Sequence, residues 1–285
     1  MTASSWRAFA LRGRDAGQAL DWLHVHATLC GVQESEHELV VWSAQELPTL
    51  PATLQVSIEE RPVAPEDFTH TGRESDRAFY VAEDLLVRPP WVDAPAGFAG
   101  LELVVPRGAA FGTGEHDSTQ AALLVLHDVW HDCQRSGRPM PTSAADVGAG
   151  SGILLHYLAL RGVADLEACD IDSPSVAAAR ELLPERAYVV VGGPDRLRGS
   201  DLVVANMTGT ELLASLAAIV DVWSRCGPLV LSGMREHEVE PVRSALDERL
   251  AAAALASPLP PPPEGAPAKR HGQRVCGAFT ALWLS

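Results

Sequence analysis

A mostly parallel α/β sheet with helices on both faces, preceded by a small α+β unit, is the fold this sequence predicts. Three observations predict it. From Leu101 onward, short apolar runs alternate with segments of helical periodicity. The runs are almost continuously apolar, as in AYVVVGG and DLVVAN, which is the pattern of strands buried on both faces. Before Leu101 the units are shorter and prolines punctuate them.

Residues 1–60 open with the strand-like WRAFALRG. RDAGQALDWLHVHATL follows, with helical spacing at Ala19, Leu20, Leu23 and Ala27. ELVVWSA and LQVSIEE again read as strands, so this region is a small α+β, ferredoxin-like domain. Residues 61–100 form a connecting region rich in proline and charge, ending RPPWVDAPAGFAG, where the prolines break regular elements. Residues 101–285 carry the main alternation. LELVV leads into AFGTGEHDST and the helix TQAALLVLHDVWHDC. SAADVGAGSG runs from a strand into a glycine turn and the helix ILLHYLALRG, and LEACDID is a strand before the helix SPSVAAARELL. AYVVVGG and DLVVAN are strands, ELLASLAAIVDVW a helix, CGPLVLSG a strand, HEVEPVRSALDERLAAAALA a helix and RVCGAFTALWL the final strand. Between the last two, Pro258 to Lys269 reads as an exposed polyproline connector.

A chain of 285 residues with 47% hydrophobic and 21% charged residues has the composition of a globular protein. Its formal net charge of −15 opposes sequence-independent nucleic-acid binding, which needs many phosphate-neutralising cations, and favours a basic partner. The five scattered cysteines contain no CxxC pair and suit a reducing compartment. With no apolar stretch suited to a signal peptide or a membrane span, the expected location is the cytoplasm.

DVGAGSG, Asp146 to Gly152, ends a strand and opens a helix. Its glycines let the backbone turn sharply and approach a ligand, and the helix N-terminus behind them offers free N–H groups. A dinucleotide fingerprint would carry glycine or alanine where Ile153 stands. The next strand ends in Asp170, about twenty residues on, where a carboxylate can accept both hydroxyls of a ribose. Asp172 reads instead as the N-cap of the following helix. Asn206 closes the strand DLVVAN at the edge where ligands sit in open α/β sheets; the alternative is an Asx turn capping the next segment. AFGTGEHDST by itself stays open between a phosphate cradle, a metal loop and a capped turn, with Asp117, Ser118 or Thr119 as the cap.

In order and spacing, AFGTGEHDST, DVGAGSG, CDID, ANMTG and PLVLSGM resemble the ribosomal protein L11 methyltransferase family. The resemblance is close from Leu101 onward and looser before it. It implies a Rossmann-like class I methyltransferase sheet and S-adenosylmethionine as cofactor; no metal is expected. Carried over by position, the family's cofactor contacts fall on Thr119, Gly148, Asp170 and Asn206, with Gly150, Phe111 and Gly112 beside them. The opening stretch then becomes a cofactor lid, with Thr119 toward the methionine end and His116 either lining the lid or holding its turn. The resemblance further implies methylation of ribosomal protein L11, on its α-amine and on lysines, by a monomeric enzyme. The small domain would hold that substrate. Ser118 replaces a threonine of the family loop, and Met207–Thr208 departs from the family pattern after the asparagine.

Methyl transfer to an amine needs the neutral nucleophile. For a lysine of pKa about 10.4 near pH 7.4 this costs about 4 kcal/mol, and for an α-amine less than about 1 kcal/mol. Asn206 is the candidate catalytic residue, orienting the amine, with the proton lost to water or a backbone carbonyl. Two other functions stay open: methylation of a different protein lysine, or a catalytically silent cofactor-binding module.

His127 and His131 stand four apart on one helix side with Asp128 and Asp132. The spacing suits zinc, but HDVWHD lacks the HExxH glutamate and an evident third ligand, so a solvated face is expected. His24 and His26 would point to different helix faces. No Gly-x-Ser-x-Gly elbow is present, and the single lysine, Lys269, follows no phosphate loop.

Overall fold

The structure is a computed structural model describing residues 7–27, 29, 31–35, 38–43, 45–62, 76–107, 110–256 and 271–284. It divides into two compact units between Asp76 and Arg77. Cys30 and the Pro258–Lys269 connector lie outside the described residues.

The first unit contains β1 (Arg7–Arg12), α1 (Ala16–His26), β2 (Gly31–Ser35), β3 (Glu38–Ser43) and β4 (Ser57–Arg61). Its sheet has the order β2-β3-β1-β4 with all neighbours antiparallel. Alternation along the strands sends Phe9, Leu11, Leu39 and Val41 against Ala19, Leu20 and Leu23 of α1, while Ala8, Ala10 and Val40 face the other way. The strand order is ferredoxin-like, but among the described residues only one helix covers the sheet. Pro48 and Pro51 occupy the stretch where a second helix would run. Strand β2 lay outside the sequence expectation because GVQES lacks apolar alternation.

The second unit begins with β5 (Phe79–Ala82), β6 (Leu85–Arg88) and β7 (Leu101–Val104), a separate three-stranded sheet in that order. Two expectations are corrected here. The connecting region does contain regular structure, because FYVAEDLLVR, residues 79–88, is free of proline. LELVV does not join the main sheet, because β7 pairs in parallel with β6.

The main sheet comprises β8 (Ser143–Val147), β9 (Asp165–Asp170), β10 (Tyr188–Val191), β11 (Leu202–Asn206), β12 (Leu229–Arg235), β13 (His271–Cys276) and β14 (Phe279–Leu284), in the order β10-β9-β8-β11-β12-β14-β13. The first five of that order are parallel, and β14 runs antiparallel to β12 and β13. RVCGAFTALWL is therefore the turn and second strand of a hairpin together with the end of the first. Gly277, at φ +53°, makes the tight turn that one continuous strand would not need.

Helices α2 (Asp117–Ser136), α3 (Ile153–Leu160) and α4 (Ser173–Leu182) cover one face; α5 (Gly209–Val222) and α6 (Glu236–Ala256) cover the other. Single-residue alternation feeds the two cores. Ala144, Leu202, Val204 and Val230 face the first, whereas Ala145, Val203, Ala205 and Leu231 face the second. Each fully buried Leu or Val adds about 1.5–3 kcal/mol, so this parity fixes strand orientation firmly.

The His127 side of α2 is not a solvated face. His127 is 7% exposed, and its Nε2 lies 2.8 Å from Asp84 Oδ1. Asp128 pairs with Arg274 and Asp132 with Arg138. The β5–β6 turn and α3 cover this side, and a helical pattern alone does not reveal that cover. Among the described residues, no helix is long and apolar enough to cross a membrane.

Candidate active site

The chain leaves β8 for β9 on one side and, after β10, returns to β11 on the other. Connections therefore diverge at the carboxyl ends of β8 and β11, which opens a crevice there. Asp146 to Gly152 and Asn206 lie at these strand ends, and Asp170 lies at the carboxyl end of β9.

Gly150 donates its N–H to Asp170 Oδ2 at 2.9 Å, and Asp170 Oδ1 accepts the Asp172 N–H at 2.9 Å. The Asp170 carboxylate is thus oriented by backbone donors and keeps lone pairs for a ligand. At Gly150 φ is +52°, and an added Cβ would stand 2.5 Å from the Phe111 carbonyl oxygen. That oxygen accepts the Ser151 N–H at 2.7 Å, and Ser151 Oγ donates to the Gly112 carbonyl at 2.5 Å. Phe111, Gly112, Gly150 and Asp170 are joined in one hydrogen-bonded cluster. Met207 Sδ packs on Gly148, whose N–H donates to the Cys169 carbonyl.

Asn206 Nδ2 donates to Thr119 Oγ1 at 3.4 Å, joining the end of β11 to the first turn of α2. Asn206 Oδ1 is buried and has no hydrogen-bond partner. Asn206 caps nothing; Thr208 is the N-cap of α5, in a capping box with Glu211. Ser232 Oγ donates to the Ser118 carbonyl, and Met207 N–H donates to the Ser232 carbonyl, so α2, β11 and β12 are fastened together.

The N-cap of α2 is His116, not Asp117, Ser118 or Thr119. Its Nδ1 accepts the Ser118 N–H at 3.2 Å, the task a shorter oxygen side chain usually performs. The ring also lies against Phe111 and Phe279, with centroids 5.1 and 4.7 Å away. His116 thus holds the turn and packs against Phe111 and Phe279 at once. Asp172, as expected, is the N-cap of α4 and accepts from Ser175 N–H and Oγ.

Sequence reasoning gave no role to Asp146, although it opens the glycine motif. It is 0% exposed and neither oxygen has a partner. Burial pushes its carboxyl up to about 7, the Asp170 charge adds to the rise, and the Leu155 N–H opposes it from outside hydrogen-bonding geometry. Ser151 and Ser232, which tie the loops together, were also missed, since a lone serine carries no periodic signal.

The pattern of the family described as ribosomal protein L11 methyltransferase (PrmA) matches residues 12–257. The chain belongs to the ribosomal protein L11 methyltransferase family. A family member from Geotalea uraniireducens (strain Rf4) is 31% identical over 185 residues, 61% of this chain and 59% of its own length. A ribosomal protein L11 methyltransferase from Janthinobacterium sp. (strain Marseille) is 29% identical over 260 residues, 85% of this chain and 80% of the relative. The solved structure of a ribosomal protein L11 methylase from Lactobacillus delbrueckii subsp. bulgaricus superimposes with a TM-score of 0.58 at 23% identity. It covers 73% of this chain and 97% of the other, a likeness of fold.

Proposed function

We propose that this chain transfers methyl groups from S-adenosylmethionine to α-amino and lysine ε-amino groups of ribosomal protein L11. The observation that carries this reading is a set of buried oxygens without partners, on Asp146 and Asn206, at the switch point of a sheet in this family. Buried polar atoms are rarely left unpaired, and such atoms fit a polar ligand that supplies the missing donors. Asp146 suits an ammonium group, Asp170 the ribose hydroxyls, and Gly148 and Gly150 close backbone approach. Thr119, with Phe111 and Gly112 of the lid, completes the set.

S-adenosylmethionine, when bound, supplies an electrophilic methyl group on a cationic sulfonium. Asn206 Oδ1 accepts an N–H of the incoming amine and turns its lone pair toward that methyl. Positioning supplies most of the rate, with no covalent enzyme intermediate. The proton leaves to water or a backbone carbonyl.

The −15 net charge supports a basic protein substrate and disfavours direct nucleic-acid contact. The first unit, residues 1–60 in the sequence reading, is the substrate-holding domain, joined through 61–100 to the catalytic region 101–285. The enzyme works as a cytoplasmic monomer without a membrane partner.

Labelled S-adenosylmethionine, incubated with unmodified ribosomal protein L11 and mapped by mass spectrometry, is expected to mark amines of that protein. Label appearing only in another protein of a methylation-deficient lysate would move the substrate elsewhere. Asn206→Ala is expected to lower kcat roughly a hundredfold at saturating donor, beyond any loss of donor affinity. Near-normal turnover would remove Asn206 from the mechanism.

A further inference from the structure

The sequence set aside a metal on His127 and His131 for want of a third ligand, and the fold supplies one. Asp84, in the turn between β5 and β6, places Oδ1 2.8 Å from His127 Nε2 and Oδ2 3.5 Å from His131 Nε2. One ligand atom from each of the three residues lies within 4.8 Å of the others. A tetrahedral zinc with bonds near 2.0–2.1 Å holds its ligand atoms about 3.4 Å apart, so the cluster needs only small side-chain adjustment. The Asp84 and His131 side chains are 51% and 33% exposed, which leaves a path for the ion and a place for a water as fourth ligand.

We propose that Asp84, His127 and His131 form a binding site for a zinc-like divalent cation, clipping the β5–β6 turn to α2. Two imidazoles and one carboxylate suit Zn²⁺ or Co²⁺, not Ca²⁺ or Mg²⁺, which take oxygen donors. Without metal, Arg161 Nη2 donates to His127 Nδ1 at 3.1 Å, so Nε2 carries the proton and donates to Asp84. Binding moves that proton, by exchange with solvent, to Nδ1. Tyr157 Oη, 3.3 Å away, accepts it there, and Arg161 Nη2 withdraws while its Nε stays 3.1 Å from the same Oη. This is the outer hydrogen bond that metal-bound histidines generally make. The cost of displacing Arg161 weakens the site relative to a closed structural zinc centre.

The test titrates the full chain with Co²⁺, beside Asp84→Asn and His131→Ala, which alter partly exposed side chains. One saturable Co²⁺ per chain is expected, with four-coordinate d–d bands, no thiolate charge-transfer, and displacement by Zn²⁺. Each variant is expected to bind roughly tenfold more weakly or worse, and Zn²⁺ should raise Tm of the wild type but of neither variant. Absent binding, binding in either variant as tight as in the wild type, or thiolate bands showing that a cysteine holds the ion overturns the proposal.

Discussion

At Asp146, full burial and the adjacent Asp170 charge hold the carboxyl near pKa 7, against 3.8 for an exposed aspartate. The folded chain therefore binds this proton more tightly than the unfolded chain. The stability it contributes is complete below pH 3.8 and is lost as pH rises through about 7. Asp146→Asn removes that loss. In the cofactor-free protein, the stability difference between variant and wild type should grow by about 2–3 kcal/mol from about pH 5 to 8. Urea denaturation at both pH values checks it, and parallel profiles would show that the buried carboxyl is relieved in some other way. The same substitution should weaken binding of the methyl donor, because the acceptor proposed for its ammonium loses its charge. Asp146 was legible as part of a glycine motif, but its protonation was not, since desolvation depends on what surrounds β8.

At the scale of elements, the first turn of α2 carries the site. His116 caps it, Ser118 is held by Ser232, and Thr119 meets Asn206. His116→Ala leaves the Ser118 N–H without its acceptor and should cost about 1 kcal/mol of stability, with severalfold weaker donor binding. His116→Asn keeps a cap acceptor and should recover most of the stability, without the ring contacts to Phe111 and Phe279. Thermal unfolding and calorimetry with the methyl donor separate the two effects. If His116→Ala left both unchanged, the cap would not position Thr119. Helix α2 itself was plain from its periodicity. Its cap was not, because histidine lies outside the usual N-cap set and the assignment turned on one ring orientation.

At the scale of the whole molecule, among the described residues, Phe9 to Val56 build a core in the first unit, and residues from Phe79 onward build two cores in the second. A fragment spanning residues 77–285 is accordingly expected to fold and to bind S-adenosylmethionine with near-native affinity. It should lose most methylation of ribosomal protein L11, since the proposed substrate-holding unit is gone. Circular dichroism, calorimetry and the labelling assay together check this. An unfolded fragment would mean that the first unit is needed for stability.

The sequence by itself determined the alternation of strands and helices, the glycine turn after β8, the carboxylate ending β9 and the asparagine ending β11. These are local matters of periodicity, backbone freedom and residue type, and they sufficed to point to the family. Lateral pairing was decided only by the tertiary structure, because hydrogen bonding between strands leaves no trace in either strand alone. That is why LELVV was assigned to the wrong sheet and the last hairpin was read as one strand. Burial and distant partners belong to the same category. The partnerless oxygens of Asp146 and Asn206 follow from how neighbouring elements close around them. The meeting of His127 with Asp84, 43 residues earlier, arises because the β5–β6 turn packs on α2.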